Sequence, residues 1–320
     1  MEREYYNEEI EIKEMIFVIV KRLKLILSVI ILTTLFGIIY SFIYKNNIKL
    51  NIAISFVLGC MLSVFIVFMI EYFKNTINFK SDVIKHLGLK VIGVIPRLPE
   101  SKNAIENKFV FECINMIISN LNINFNSKVL TFTSSGPEEG TTKTILNIGK
   151  LLAKRGKKVV LLDCNLRNPK IHENFNLYND NGLIEIIKEN VNYSESDICK
   201  KTNIDNLWFI NSGVNTDNPL KILESEKLRE FIDYLRDNFD YILIDTPPVS
   251  IVTDALILSN ISDGTILICA SEKSEIELAK RSVDLLKEVK ANIVGVILTN
   301  VSKYNPEKYY KFEKSVYYKS

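Results

Sequence analysis

Charge of one sign is scarce in this 320-residue chain: 40 Lys and Arg face 38 Asp and Glu, leaving +2 at pH 7. A field that weak attracts no polyanion to the surface as a whole, and the chain holds neither a basic stripe nor a zinc-finger spacing, so nucleic acid is not an expected partner. Histidine is scarce too. With only His86 and His172, a His-rich metal site is out of reach. The five cysteines (Cys60, Cys113, Cys164, Cys199 and Cys269) are odd in number and far apart, which suits a reducing compartment rather than a disulfide framework. Apolar side chains, by contrast, are abundant. They make up 47% of the chain, and the mean hydropathy of +0.10 is high for a purely soluble protein longer than a usual single domain. Part of the chain is expected in a membrane.

Charged residues are absent from Leu25–Tyr44 and again from Ile52–Ile70, each about the 20 residues that carry a helix across the hydrocarbon core. These stretches predict two transmembrane helices. Lys21, Arg22 and Lys24 precede the first and Lys74, Lys80 and Lys85 follow the second, with only Lys45 and Lys49 between them. The positive-inside rule then puts both termini in the cytoplasm. A cleaved signal peptide fits poorly, because several glutamates precede the first span and no small-residue cleavage site follows it. Two buried core helices are the duller alternative, disfavoured by the uninterrupted apolar lengths. The expected organisation is a cytoplasmic segment over 1–24, the hairpin over 25–74, a strap and first helix over 75–127, a nucleotide-binding domain over 128–302 and a tyrosine-rich tail over 303–320. The short apolar run Val91–Ile95, closed by Pro96 and Pro99, reads as part of the strap.

From Lys128 onward, β-branched runs alternate with helical patterns. Strands are expected at Val129–Thr133, Val159–Asp163, Leu207–Asn211, Tyr241–Asp245, Thr265–Ala270 and Ile293–Thr299. Runs apolar on both faces predict an α/β fold, a mostly parallel sheet with helices on both faces. Ligands of such sheets sit outside the carboxyl ends of the strands, and that is where the polar motifs fall.

After the first strand comes Ser134-Ser-Gly-Pro-Glu-Glu-Gly-Thr-Thr142. Such a loop cradles phosphates on backbone N–H groups at a helix N-terminus, with a lysine for the β/γ-phosphates and a following hydroxyl for Mg2+. Gly140 and Thr142 stand where they are needed, but Thr141 occupies the lysine position. Lys143 points about 200° away around a helix from that position. Aligning Lys143-Thr144 with the Lys-Ser/Thr pair instead would require glycine at Thr142. After the second strand, Asp163-Cys-Asn-Leu-Arg167 offers either a helix cap with a surface arginine or a metal or base role. After the fourth, Asp245-Thr-Pro-Pro248 either ends a strand or supplies a Mg2+-facing carboxylate. The three motifs in this order point to a nucleotide site.

These residues resemble the bacterial tyrosine kinases (BY-kinases) of capsule and exopolysaccharide production, fused to the membrane hairpin of a chain-length determinant, or polysaccharide co-polymerase. Ser134, Pro137, Glu139, Gly140 and Thr142 match the family's phosphate loop, Asp163 and Arg167 its second motif, and Asp245, Pro247 and Pro248 its third. Thr141 and Asn165 depart from it, standing where the family has Lys and Asp. Asn181-Gly-Leu183, Ser212-Gly213, Asn218-Pro-Leu220 and Val252-Thr-Asp-Ala255 are weaker markers. The large external domain of co-polymerases is reduced to a few residues. Of the ring-forming Glu-x-x-Arg-x-x-Arg helix only Glu112 survives, with Asn115 and Ile118 in place of the arginines.

The resemblance implies a P-loop ATPase-type fold and a membrane-bound, ATP- and Mg2+-dependent protein-tyrosine (auto)kinase. Its location would be the bacterial inner membrane, with the catalytic domain cytoplasmic. Its partners would be polysaccharide polymerisation and export proteins and, ring arginines aside, further copies of the chain. By the same resemblance the nucleotide is held by Ser135, Gly136, Pro137, Glu138, Glu139, Gly140, Thr141, Thr142, Lys143 and Thr144, with adenine near Asn300. Mg2+ is held by Thr142, Asp163 and Asp245, and Asp163, Asp245 and Arg167 are catalytic, Asp163 accepting the tyrosine proton. Tyr304, Tyr309, Tyr310, Tyr317 and Tyr318 are the phosphoacceptors. The missing lysine leaves two outcomes: a kinase in which Lys143, Lys170 or another cation substitutes in space, or a catalytically degenerate regulator of the same machinery.

Overall fold

The computed structural model describes residues 18–44, 47–72, 75–97, 108–124, 127–175, 178–189, 199–214 and 216–302. They fall into two compact units, one ending at Asn75 and the other beginning at Thr76. The tail tyrosines lie outside the described residues.

The first unit is a helical hairpin, α1 (Leu23–Tyr44) and α2 (Ile48–Tyr72). Both helices are long and apolar enough to cross a membrane. Small residues line the contact between them: a methyl group added at Gly37 would collide with Ser55, and one at Gly59 with Thr33. Asn51 also donates to Ser41 Oγ at 2.9 Å, the close approach and interhelical hydrogen bond typical of membrane pairs. Large side chains face outward instead. Leu32, Phe36, Phe42 and Met61 are each about 70% exposed, a surface that water would not tolerate and hydrocarbon would.

The second unit runs α3 (Lys80–Leu87), β1 (Val91–Pro96), α4 (Lys108–Asn124), β2 (Val129–Ser134), α5 (Thr141–Lys154), β3 (Val159–Asp163), α6 (Leu183–Glu189), β4 (Lys200–Lys201), β5 (Leu207–Ile210), α7 (Pro219–Leu223), α8 (Glu226–Asn238), β6 (Tyr241–Asp245), α9 (Asp254–Ser259), β7 (Gly264–Ala270), α10 (Ile276–Glu288) and β8 (Ile293–Val301). The strands form one sheet in the order β1-β8-β7-β2-β6-β3-β5-β4. All neighbours are parallel except the short edge pair β4–β5.

Strand periodicity feeds two cores. On β3, Val159 and Leu161 join one cluster with α4 and α5, while Val160 and Leu162 join another with α6 and α8. On β6, Leu243 goes to the first and Ile242 and Ile244 to the second. Alternate side chains leave opposite faces of a strand, so strands buried on both sides read as unbroken apolar runs. One expectation is corrected here. The run at Val91–Pro96, read as part of a strap, is the sheet's edge strand, pairing in parallel with β8 from Val91↔Val296 to Pro96↔Val301. Proline is tolerated there because an edge strand leaves one row of N–H groups unpaired.

Candidate functional site

β2, β6 and β3 are neighbours in the sheet; β3 and β6 end level with one another, and β2 runs two residues further, to Ser134. Phe132 pairs with Asp245 and Asp163 pairs with Asp245 in the parallel registers, so their carboxyl-edge loops must converge. The phosphate loop leaves β2 and opens α5 through Gly140 at φ 93°, a left-handed conformation that glycine adopts freely. Glu138 is also left-handed, at φ 56°. Thr142, in the first turn of α5, donates from Oγ1 to Asp245 Oδ2 at 2.6 Å. That bond joins the loop to the carboxylates directly.

Asp163 is fully buried. Its Oδ1 accepts the Asn165 N–H at 3.1 Å, and its Oδ2 accepts the Lys170 and Ile171 N–H groups, both at 3.1 Å. A carboxylate offers about four lone pairs, so Asp163 keeps one. Burial pushes its pKa up to about 6, with the Ile171, Asn165 and Lys170 amides opposing. Asp245 lies well above its ordinary value, through burial first and the Asp163 charge second, while the Thr142 hydroxyl, the Thr246 amide and Lys170 pull it down. Two carboxylates side by side in a dry site do not both ionise without cost. Mg2+ commonly takes one or two carboxylates and completes its octahedron with phosphate and water. The carboxylate pair with the Thr142 hydroxyl fits that demand, and a dication would offset the repulsion.

The loop's other residues divide between inward braces and outward groups. Glu139 turns inside: its carboxylate accepts the Ser135 N–H at 2.9 Å, the Ser135 hydroxyl at 2.8 Å and the Ser274 hydroxyl at 2.6 Å. Burial lifts it to about 7 against those hydrogen bonds. The Ser135 N–H is therefore committed inside the loop, also meeting Ile268 O at 3.3 Å. The Ser135 carbonyl accepts from Ser250 Oγ at 2.6 Å. Gly136 O accepts from Ser134 Oγ at 2.8 Å. Thr144 is buried, and its hydroxyl donates back to Gly140 O at 2.8 Å within the first turn of the helix. Pro137, Glu138 and Lys143 are exposed, and Thr141 is 9% exposed. Asn300 is exposed and left-handed at φ 57°, next to Thr299, whose hydroxyl donates to Glu139 O at 2.6 Å.

Arg167 is gripped by Asp254, Nε to Oδ2 at 3.0 Å and Nη2 to Oδ1 at 3.1 Å. Asp254 is fully buried, so this bidentate pair fixes the β3 loop to the start of α9. Asn165 holds the turn, its Oδ1 accepting the Asn168 N–H at 3.2 Å. Ser274, Ser250 and Asp254 are the site members that sequence motifs did not assign; for Asp254 the signal was present, in the run Val252–Ala255.

An AAA domain is matched over residues 127–295, which takes in the phosphate loop and the sheet apart from β1 and most of β8. Tyrosine-protein kinase YwqD of Bacillus subtilis (strain 168) is 32% identical over 185 residues, covering 57% of this chain and 77% of that protein. Tyrosine-protein kinase CpsD of Streptococcus pneumoniae serotype 4 is 35% identical over 195 residues, covering 59% of this chain and 84% of that protein. The chain belongs to the bacterial tyrosine-protein kinases. Among solved structures, the chimerical protein CapA2B2 superposes with a TM-score of 0.66 at 27% identity, over 70% of this chain and all of the other. That superposition covers more of the chain than the AAA match does, and the strand at Val91–Pro96 belongs to the same compact unit as the matched residues.

Proposed function

We propose that the chain is a membrane-anchored, ATP- and Mg2+-dependent protein-tyrosine kinase that phosphorylates the tail of another copy. It regulates capsular or exopolysaccharide polymerisation and export, with the proteins of that machinery as partners. The apolar hairpin is the anchor, crossing the bacterial inner membrane twice with both termini and the kinase domain cytoplasmic; the lysine and arginine flanks support that orientation. The observation that carries the reading is the 2.6 Å bond from Thr142 to Asp245 beside the Asp163–Asp245 register pair. It brings phosphate loop and carboxylates to one point.

Asp163, with one lone pair free and a pKa of about 6, suits a general base near neutrality, accepting the proton of an incoming tyrosine hydroxyl. Asp245, bonded to Thr142, suits the metal side. The free N–H groups opening α5 present positive ends to phosphate. Thr142, Asp163 and Asp245 would hold Mg2+, which would supply charge neutralisation for the phosphates. Arg167 positions the Asp163 loop through Asp254.

Thr141 lowers the rate by about 10²- to 10³-fold relative to a lysine, by analogy with loss of one preorganised electrostatic group. The test is phosphotyrosine on the full chain in detergent, incubated with Mg-ATP. Slow tail labelling that vanishes in Asp163→Ala is expected. ATP binding without any labelling would leave only a non-catalytic regulator, and neither binding nor labelling would defeat the nucleotide site itself.

A further inference from the structure

Lys170 enters the site from the β3 loop. Its backbone N–H donates to Asp163 Oδ2 at 3.1 Å, and Asp163 stands in register with Asp245. The root of the side chain is thereby fixed against the carboxylate pair. The side chain is exposed, and its ammonium has no hydrogen-bond or ion-pair partner among the described residues. Its charge is nevertheless felt on two sides. Asp245, raised mainly by burial and then by Asp163, is drawn back in part by Lys170. Glu138, on the phosphate loop, lies below its ordinary value through its hydrogen bond and charge pairing with Lys273 first, and through Lys170 next. A root bonded to Asp163, with Asp245 in register beside it and Thr142 of the phosphate loop bonded to Asp245, puts the start of the Lys170 stem at the gap between loop and carboxylates. A lysine stem is long and flexible enough to sweep that gap.

The rival cations are engaged or turned away. Lys273 holds the Glu138 carboxylate and carbonyl, both at 3.1 Å. Arg167 is gripped by Asp254. Lys143 is exposed and, two residues past Thr141 in α5, leaves the helix about 200° from that position. We propose that Lys170 supplies in space the positive charge that Thr141 withholds in sequence, reaching the β/γ-phosphate end of a nucleoside triphosphate from the β3 side.

This inference rests on the nucleotide-site reading, and one experiment separates their fates. Mg-ATP and Mg-ADP are titrated calorimetrically into the full chain in detergent, as the parent, Lys170→Ala, Lys170→Arg, Thr141→Lys and the double variant Thr141→Lys/Lys170→Ala. Lys170→Ala is expected to weaken ATP binding about tenfold or more, the scale of one charge-assisted phosphate contact, and ADP binding less. Lys170→Arg keeps most of the affinity, and Thr141→Lys restores it in the double variant. Equal ATP affinity of the parent and Lys170→Ala overturns the inference alone. So does a loss that Lys170→Arg shares and Thr141→Lys fails to rescue, because charge would then not be the cause. Failure of both the parent and Thr141→Lys to bind either nucleotide overturns the nucleotide site, and the inference with it.

Discussion

The carboxylate wall on β3 and β6 and the phosphate loop after β2 meet at the Thr142–Asp245 bond, yet each buries negative charge by different means. Asp163 is satisfied by three backbone amides of its own loop. Glu139 relies first on the hydroxyls of Ser274 and Ser135, with the loop amides adding less. Amides are fixed donors, whereas hydroxyls rotate and can equally accept. Burial raises both, Asp163 from 3.8 to about 6 and Glu139 from 4.5 to about 7, so the two sets of donors offset it to a similar degree. Asp245 stays well raised because Asp163 is its neighbour. Two carboxylates side by side can be relieved by a shared cation, whereas Glu139, alone and turned inward, is relieved by taking a proton.

The largest expected effect is a stability that falls with rising pH. A buried carboxyl with a raised folded pKa binds more protons folded than unfolded between the two values, so stability is full below the unfolded pKa and is lost as pH climbs through the folded one. For Asp163 that window runs from 3.8 to about 6, and for Glu139 from 4.5 to about 7. Each costs about 3 kcal/mol across its window. Exposed Glu138 and Asp180, both lowered by lysine contacts, oppose this only weakly. Urea unfolding of the full chain in detergent should show midpoints dropping from about pH 4 through 7, and Asp245, raised well above its ordinary value, should carry the fall further. Saturating Mg-ATP should remove the wall's share and leave the loop's. A midpoint that rises through this window would break the comparison.

Glu139→Gln isolates the loop's share. The amide keeps a carbonyl for the Ser135 N–H, and the two serine hydroxyls can turn to accept from its NH2. The expected gain is up to about 3 kcal/mol at pH 8 and little below pH 5. The fall attributed to Asp163 should persist. A variant less stable than the parent at pH 8 would show that the hydroxyls and amides fully offset burial of the charge.

What sequence revealed and what it hid follow the reach of the interactions. The hairpin was legible because bilayer thickness dictates the length of an uncharged run. β3 and β6 were legible to their last residues, since strands buried on both faces appear as unbroken apolar runs ending in an acid. β1 was not, because Pro96 signals a stop and its partner Val301 lies about 200 residues downstream; non-local pairing leaves no local pattern. Within the site, Thr142, Asp163 and Asp245 stood out as motifs at strand ends. The inward turn of Glu139 onto Ser274 and the grip of Asp254 on Arg167 span 135 and 87 residues, and nothing nearby in the chain announces them.

The smallest effect concerns backbone strain in the loop, and it runs in opposite directions at two neighbouring positions. Gly140 sits at φ 93°, and a methyl group there would meet only Thr299, at an ordinary 3.7 Å. Gly140→Ala should therefore cost about 1–2 kcal/mol from left-handed backbone strain alone, without a clash. Gly140→Asn, though larger, should cost less than Ala, because asparagine tolerates that region. At Glu138, already left-handed at φ 56°, Glu138→Gly relieves strain of about 1 kcal/mol. That relief is offset in small part by loss of the exposed Lys273 pair, which solvent screens. Melting temperatures of the full chain decide the case. If Gly140→Asn proves worse than Gly140→Ala, volume rather than φ governs the turn, and the loop is a packed surface instead of a strained one.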